Sequence, residues 1–355
     1  MLSGGVRVVI EFANRLTENG HEVHLIHPSM AYDEIAIREI RQDVVLVPTR
    51  SIHNNEISSP FSKLRLAWQL ALTVPKSDLI ISTHTPTTIS AFIASKFLRK
   101  GQSAWLYQDY LEMFLGKPAE SWLLKNASRW QDVIFTVSQY SKTELEGYYP
   151  GKIFVVGEGL SHSDVFKPVP EFHRPENLQK KKIIVTMGDP RSRKGFPDFL
   201  NAVDIVFEKV PELHLWIFAK EELEINTRVP FDFFFRPERE NLASMYANCD
   251  IFVSASWWES FGLPPLEAMA CGAPVITTDS RGVRDFTETG INCLVVPPRD
   301  SQALAEAILR LLEDNRLSNR FRRTGPLTAA KFSWDIAVNR FEVALATLPH
   351  QHDIL

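Results

Sequence analysis

The sequence predicts an α/β protein made of two doubly wound parallel sheets in tandem. Three observations carry this. Short β-rich runs alternate with helical patterns along the chain, the signature of βαβ units. The alternation comes in two blocks, separated by "FKPVPEFHRPENLQKKK" (Phe166–Lys182), which is rich in proline and charge and lacks periodicity. The 355 residues, 45% of them hydrophobic, are too many for one comfortable core and enough for two.

In the first block, "MLSGGVRVVIEFANRLTENGHEVHLIH" opens on a glycine turn, runs through an amphipathic helix to an Asn19-Gly20 stop, and enters a strand at about 21–27. The chain begins where a preceding strand would already have ended, so the first strand of this sheet is expected to be missing. "VVLVP" (from Val44), "LIIS" (from Leu79), "AWLYQ" (from Ala104), "VIFTVS" (from Val133) and "IFVVGEG" (from Ile153) read as strands, with helices at about 61–74 and 88–98. In the second block the strands are "IIVTMG" (from Ile183), "LHLWIFA" (from Leu213), "FDFFF" (from Phe231), "DIFVSAS" (from Asp250) and "APVITTD" (from Ala273). Helices are expected at about 196–209, 239–247, 264–270 and 301–313. The resulting division is a first domain over 1–166, a linker over 167–182 and a second domain over 183–332.

Bulk properties exclude several classes. The net charge of −4, with mixed signs, offers no basic field for nucleic acid. Cys249, Cys271 and Cys293 are too few and too scattered for a zinc knuckle or a disulfide framework, so reduced thiols are expected. The longest apolar runs fall far below the roughly 20 residues of a membrane span, and no secretory signal pattern is seen. A cytoplasmic location is expected. His21, His24 and His27 lie three apart on a strand, so their side chains alternate faces and do not converge on a metal. Ser141 with Glu144 reads as a capping box.

The most informative stretch is "WWESFGLPPLEAMACGAPVITTD" (Trp257–Asp279). Glu259 lies just past a strand's carboxyl end. Pro264 and Pro265 suit the first turn of a helix, where a missing N–H costs least. "ESFGL" is therefore a loop feeding a helix N-terminus, whose free N–H groups and dipole attract anions. Gly262 permits close backbone approach. Glu259 and Glu267 can accept hydrogen bonds from sugar hydroxyls at either end of that turn.

"ESFGLPPLEAMACGAPVITTDSRGVRDFTETGINCLVVPPRD" (Glu259–Asp300) resembles the signature of retaining family-4 glycosyltransferases, the glycosyl transferases group 1 of bacterial polysaccharide type. Their hallmark is two glutamates separated by seven residues. The resemblance is strong over 187–300 and traceable over 4–166. It implies a GT-B fold, two Rossmann-like domains facing a cleft, with the last helix (about 333–355) packing back on the first domain. By the resemblance Glu259 contacts the donor sugar and Glu267 the ribose, while the backbone of Ser260, Phe261, Gly262 and Leu263 meets sugar and diphosphate. Gly4 and Gly5 match the family's glycine loop, and Gly188, Arg193 and Arg236 fall on the donor side. "MGDPRSRKGFPDF" places Lys194-Gly195 on the family's Lys-Gly. The family arginine directly after the first glycine is replaced here by Asp189, so Arg191 or Arg193 supplies the guanidinium, with Arg191 preferred.

On the acceptor side, "LYQDYLEMF" puts Gln108 where relatives carry a histidine. Glutamine is no general base, which leaves Asp109 as the side-chain candidate, or the leaving phosphate itself. His84, in "STHTPTTIS", lies at a neighbouring strand end. The implied activity is a retaining, metal-independent hexosyltransferase in polysaccharide biosynthesis. It uses a UDP-, GDP- or dTDP-sugar as donor, needs no cofactor, and serves a glycan or lipid-linked acceptor. "SWLLKNASRWQ" (Ser121–Gln131) fits either a helix packed on its own sheet or one touching the inner membrane surface. The alternative of a different class is a non-catalytic sugar-nucleotide-binding or assembly protein on the same scaffold, motivated by the missing strand, the absent histidine and the displaced arginine.

Overall fold

The computed structural model describes residues 4–28, 34–49, 60–169 and 174–348. It divides into two compact units, one of residues 2–158 with 334–355, the other of residues 159–333.

In the first unit α1 (Gly4–Glu18) leads to β1 (His24–His27), α2 (Glu34–Glu39), β2 (Val45–Pro48) and α3 (Pro60–Thr73). Then follow β3 (Leu79–Ser82), α4 (Thr88–Phe92), β4 (Gln102–Tyr107), α5 (Pro118–Ala127), β5 (Val133–Thr136), α6 (Gln139–Glu146) and β6 (Lys152–Val155). All pairings are parallel. β1 pairs with β2, and a four-stranded sheet runs β3-β4-β5-β6, with Leu79 opposite Gln102 and Val133 opposite Lys152. β5 is buried along its whole length, as expected of an apolar run covered on both faces. The helix expected over 88–98 begins as α4 and ends in a π-helical turn, Ile93–Phe97.

The second unit contains β7 (Lys182–Gly188), α7 (Phe196–Phe207), β8 (Leu213–Ala219), β9 (Phe231–Phe235), α8 (Arg239–Asn248) and β10 (Ile251–Ser254). It continues with α9 (Leu263–Ala270), β11 (Val275–Thr278), β12 (Leu294–Val296), α10 (Ser301–Glu313) and α11 (Asn315–Ala329). Its six-stranded sheet has the order β12-β11-β10-β7-β8-β9. β8 is buried throughout and β9, at the edge, is mostly exposed. Since β7 lies between β10 and β8, the order reverses there. That switch point opens a crevice at the strands' carboxyl ends, where ligands of such sheets bind. The final helix, α12 (Trp334–Ala346), belongs to the first unit. Its Trp334 and Phe341 rings pack against Phe12 of α1 at centroid separations of 5.2 and 5.3 Å.

Three local expectations change. The first strand is shorter than 21–27, because His21 turns to Glu342 and only His24–His27 pair with β2. Among its neighbours His24 meets Glu22, and His27 sits beside the Pro28 carbonyl, so the three rings disperse. The cap of α6 is Ser138, which accepts from the Ser141 N–H at 3.1 Å. Glu144 instead accepts from the Tyr107 hydroxyl at 2.9 Å and the Leu111 N–H at 2.7 Å. The described part of the 167–182 segment is docked on the second unit. Leu178 is buried, and Arg174 donates to the Asn248 carbonyl and pairs with Asp250. Positions 170–173 of that segment, and 349–355 of the last helix, lie outside the described residues. The three cysteines are free and buried, and burial pushes the Cys249 and Cys293 thiols up to about 12.

Candidate active site

β7 and β10 are parallel neighbours, with Ile184 opposite Ile251. Their carboxyl ends therefore release two loops side by side, 189–195 and 255–262. This is how Lys194 meets Glu259 across 65 residues of sequence. The ammonium donates to Glu259 Oε1 at 2.6 Å, and the two side chains are only 11% and 14% exposed. Burial pushes the Glu259 carboxyl up. The Lys194 charge and hydrogen bond, the Arg193 charge and a Ser256 hydrogen bond outweigh it and hold the carboxyl below its ordinary value.

The two loops are stitched at several further points. The Trp257 N–H donates to the Arg193 carbonyl at 2.7 Å, and its indole N–H donates to Asp198 at the start of α7 at 2.6 Å. Arg299 stacks its guanidinium over the rings of Trp257 and Trp258, 4.2 and 4.7 Å from their centroids. Gly195 adopts φ 62°, and a Cβ there would lie 2.0 Å from the Ala255 carbonyl oxygen. Only glycine lets the basic loop press against the end of β10.

The Glu259 backbone bridges to Arg281. Its N–H donates to the Ser280 carbonyl at 2.9 Å and its carbonyl accepts from the Gly282 N–H at 3.1 Å. Gly262, at φ 103°, caps α9, and a Cβ there would come within 2.7 Å of Val283. The Phe261 ring is buried against Phe286 and Phe332, so this residue offers a ligand its backbone. Leu263 is buried and Ser260 half-buried. Glu267 is buried in α9, with the Tyr246 hydroxyl 3.5 Å from its Oε2.

Arg191 folds back on Asp189: its Nε donates at 2.8 Å and its terminal nitrogen binds the second carboxylate oxygen. Asp189 is itself buried and, against the effect of burial, is held below its ordinary value by Arg191. Arg191 thus braces the loop through Asp189, and the Arg193 charge helps hold the Glu259 carboxyl low. Gly188 serves packing, since a Cβ there would meet Leu223 at 2.3 Å. Arg236 is exposed, holds φ 46°, and donates to the Lys220 carbonyl beyond β8.

In the first unit the same logic brings His84 and Asp109 together, because β3 and β4 are parallel neighbours and each residue follows one of them. Asp109 is buried. Its Oδ2 faces His84 Nδ1 at 3.2 Å, accepts the Thr85 N–H at 2.9 Å and binds the Thr85 hydroxyl. The Asp109 hydrogen bond raises the His84 pKa above its ordinary value, against the effect of burial. Burial works to raise the Asp109 carboxyl, but His84 and Thr85 keep it lowered. Asp109 Oδ2 thereby orients His84, whose ring remains half exposed. A buried Gln108 Oε1 without a hydrogen-bond partner lies 3.4 Å from where a Cβ on Gly5 would stand, so Gln108 faces the Gly4–Gly5 start of α1.

The sequence reading gave no role to Trp257, Asp198, Arg299 or Thr85, and named Asp189 only as the replacement for the family arginine. Trp257, two residues before Glu259, and Thr85, next to His84, lie beside residues the sequence had singled out. The others act through contacts made in space.

Two family patterns match the chain. "Glycosyltransferase Family 4" spans residues 2–163 and "Glycosyl transferases group 1" spans 169–328. The N-acetyl-alpha-D-glucosaminyl L-malate synthase of Bacillus anthracis is 24% identical over 96% of this chain and 93% of its own. A D-inositol 3-phosphate glycosyltransferase of Corynebacterium urealyticum is 27% identical over 75% of this chain and 66% of its own. Anabaena Alr3699/HepE in complex with UDP-glucose superposes with a TM-score of 0.76 at 17% identity, covering 98% of this chain and 97% of that one. A sucrose-phosphate synthase from Thermosynechococcus elongatus gives 0.78 at 18% identity, covering 97% and 93%. These likenesses show a GT-B fold. With both units matched by family patterns and the two glutamates at their spacing in the switch-point loop, the chain belongs to the group 1, family-4 glycosyltransferases.

Proposed function

We propose that this chain moves a sugar from a nucleoside-diphosphate sugar to a hydroxyl acceptor with retention at the anomeric carbon, in assembling a glycan or lipid-linked glycan. The observation that carries this is the largely buried Lys194–Glu259 pair, with the Arg193 charge beside it, at the crevice of the six-stranded sheet. Relatives support the donor class: Anabaena Alr3699/HepE was solved with UDP-glucose.

In the reaction the bond between the anomeric carbon and the diphosphate oxygen breaks, its electron pair leaving with the diphosphate. Lys194, Arg193 and the N-terminal end of α9 neutralise the charge that develops there, in place of a metal. Glu259, kept ionised by those cations, accepts hydrogen bonds from sugar hydroxyls. Glu267, at the other end of the turn, accepts from the ribose. The acceptor oxygen enters on the face the diphosphate leaves, and its proton passes to a leaving phosphate oxygen. In the first unit, His84 held by Asp109 is the candidate for binding the acceptor.

A thermal-shift panel of UDP-, GDP- and dTDP-sugars selects the donor. Mass detection then follows transfer, and the anomeric proton coupling of the product reads stereochemistry. Inversion, or nucleotide binding with neither transfer nor donor hydrolysis, sinks the reading.

A further inference from the structure

Arg299 stands in a backbone conformation that glycine favours. It follows Pro297 and Pro298, whose rings fix their φ, and it precedes Asp300, which caps α10 by accepting the Ala303 N–H at 2.9 Å. Between these anchors its φ is 63°, in the left-handed region. A glycine would make that turn freely, whereas a side chain there strains the backbone. Arg299 is also exposed, so core packing does not call for its bulk. What the side chain does make is one contact. Its guanidinium lies 4.2 Å from the Trp257 ring centroid and 4.7 Å from that of Trp258. The two rings meet each other edge to face, 5.8 Å apart at 86°. A strained residue whose side chain stacks beside a reaction site points to a use in that site.

Trp257 carries that contact into both halves of the site. Its backbone N–H donates to the Arg193 carbonyl at 2.7 Å, and its indole N–H donates to Asp198 at 2.6 Å. Backbone and ring thus hold the basic loop and the start of α7. Glu259 follows two residues later, and Lys194, next to Arg193, donates to it at 2.6 Å. The groups acting on the Glu259 carboxyl are Lys194 and Arg193 from the basic loop and Ser256 from its own loop. A sliding of 255–262 against 189–195 would lengthen the Lys194–Glu259 bond. Arg299, fixed by the connection from β12 to α10, pins the indoles against that sliding.

We propose that Arg299 is a positioning residue for sugar transfer: by clamping Trp257 and Trp258, it holds the basic loop and the Glu259 loop in the register where Lys194 meets Glu259. This rests on the transferase reading of that site. Arg299 acts through the two indoles and not on the reacting atoms.

Arg299→Gly removes the clamp and the backbone strain together, so its melting temperature should stay near that of the parent. Hydrogen exchange over 189–195 and 255–262 should quicken. With the nucleotide sugar that the thermal-shift panel selects, kcat should fall about tenfold, in line with losing two exposed cation–π contacts. The acid limb of its pH profile should move to higher pH, because a longer Lys194–Glu259 bond lets burial raise the carboxyl. Arg299→Lys keeps a cation over the rings and should recover part of both effects. An arginine that only stabilises the fold would lower the melting temperature and leave the acid limb in place, and that result overturns the proposal. So does parental hydrogen exchange in both loops of Arg299→Gly, or quickened exchange with kcat unchanged. A parent that transfers no sugar sinks the transferase reading instead, and the exchange of the two loops still tests the clamp.

Discussion

Replacing Lys194 by alanine removes the cation that lets Glu259 stay ionised in a buried place. The carboxylate side chain is 14% exposed and its 2.6 Å partner disappears. Breaking a buried ion pair from one side costs about 3–5 kcal/mol. For a unit of this size that lowers its melting temperature by roughly 6–20 °C, taking about 2–4 °C per kcal/mol. The cost depends on pH with a definite sign. In the parent chain the Glu259 pKa is depressed, so its contribution is present above the ordinary carboxyl value and is lost as pH falls through the folded value. In Lys194→Ala burial dominates and raises that pKa. The variant then loses further stability as pH rises from the ordinary carboxyl value through its raised one. The gap between the two proteins should be widest near neutrality and narrow as pH falls toward 4.5, the carboxyl's ordinary value. Adding Glu259→Gln removes the stranded charge and should restore part of the melting temperature while leaving transfer impaired. Losing the cation should itself lower kcat by about 10²–10³, the typical worth of one charge-stabilising group. Calorimetric or fluorescence melts over pH, paired with transfer rates, test both halves. A Lys194→Ala protein that melts within a degree of the parent at neutral pH, or whose stability deficit grows on acidification, would refute this account of the pair.

Three further outcomes follow from the geometry. Glu267→Ala should weaken donor binding by roughly 10–100-fold in titration calorimetry, the loss of a buried charged acceptor from the ribose; unchanged affinity would contradict the ribose role. Gly195→Ala should cost at least about 1–3 kcal/mol from its left-handed backbone alone, besides the clash with the Ala255 carbonyl, and should abolish transfer by pushing the basic loop off β10; a variant that melts and turns over normally would remove the argument for loop contact. Asp109→Asn should let the His84 pKa fall back toward 6.5, followed by proton NMR of the imidazole. A raised histidine stabilises the fold at low pH and loses that contribution as pH rises through its folded value, so the variant's deficit should be larger at pH 5 than at pH 9. A His84 titration indifferent to the change would dissolve the pair.

The sequence by itself determined what is local in the chain. The Glu259–Glu267 turn was legible because a strand, a glycine, two prolines and a helix follow one another within a dozen residues, and each has its own backbone signal. The two blocks of βαβ units were legible for the same reason, through periodicities of two and of 3.6. Tertiary structure decided whatever depends on which strands become neighbours. Lys194 reaches Glu259 because β7 pairs with β10, and His84 reaches Asp109 because β3 pairs with β4. No spacing rule encodes either pairing.

The contact between Arg191 and Asp189 is likewise not legible in the sequence. Asp189 occupies the Arg191 fork at short range, while the Arg193 charge acts on Glu259, and two arginines two residues apart give no hint of it. Helix α3 shows the limit most plainly. Its apolar residues announce a helix, but burial is a property of what else lies nearby. Only the folded unit decides that Ala67 and Ala71 are covered while Phe61 and Trp68 face outward.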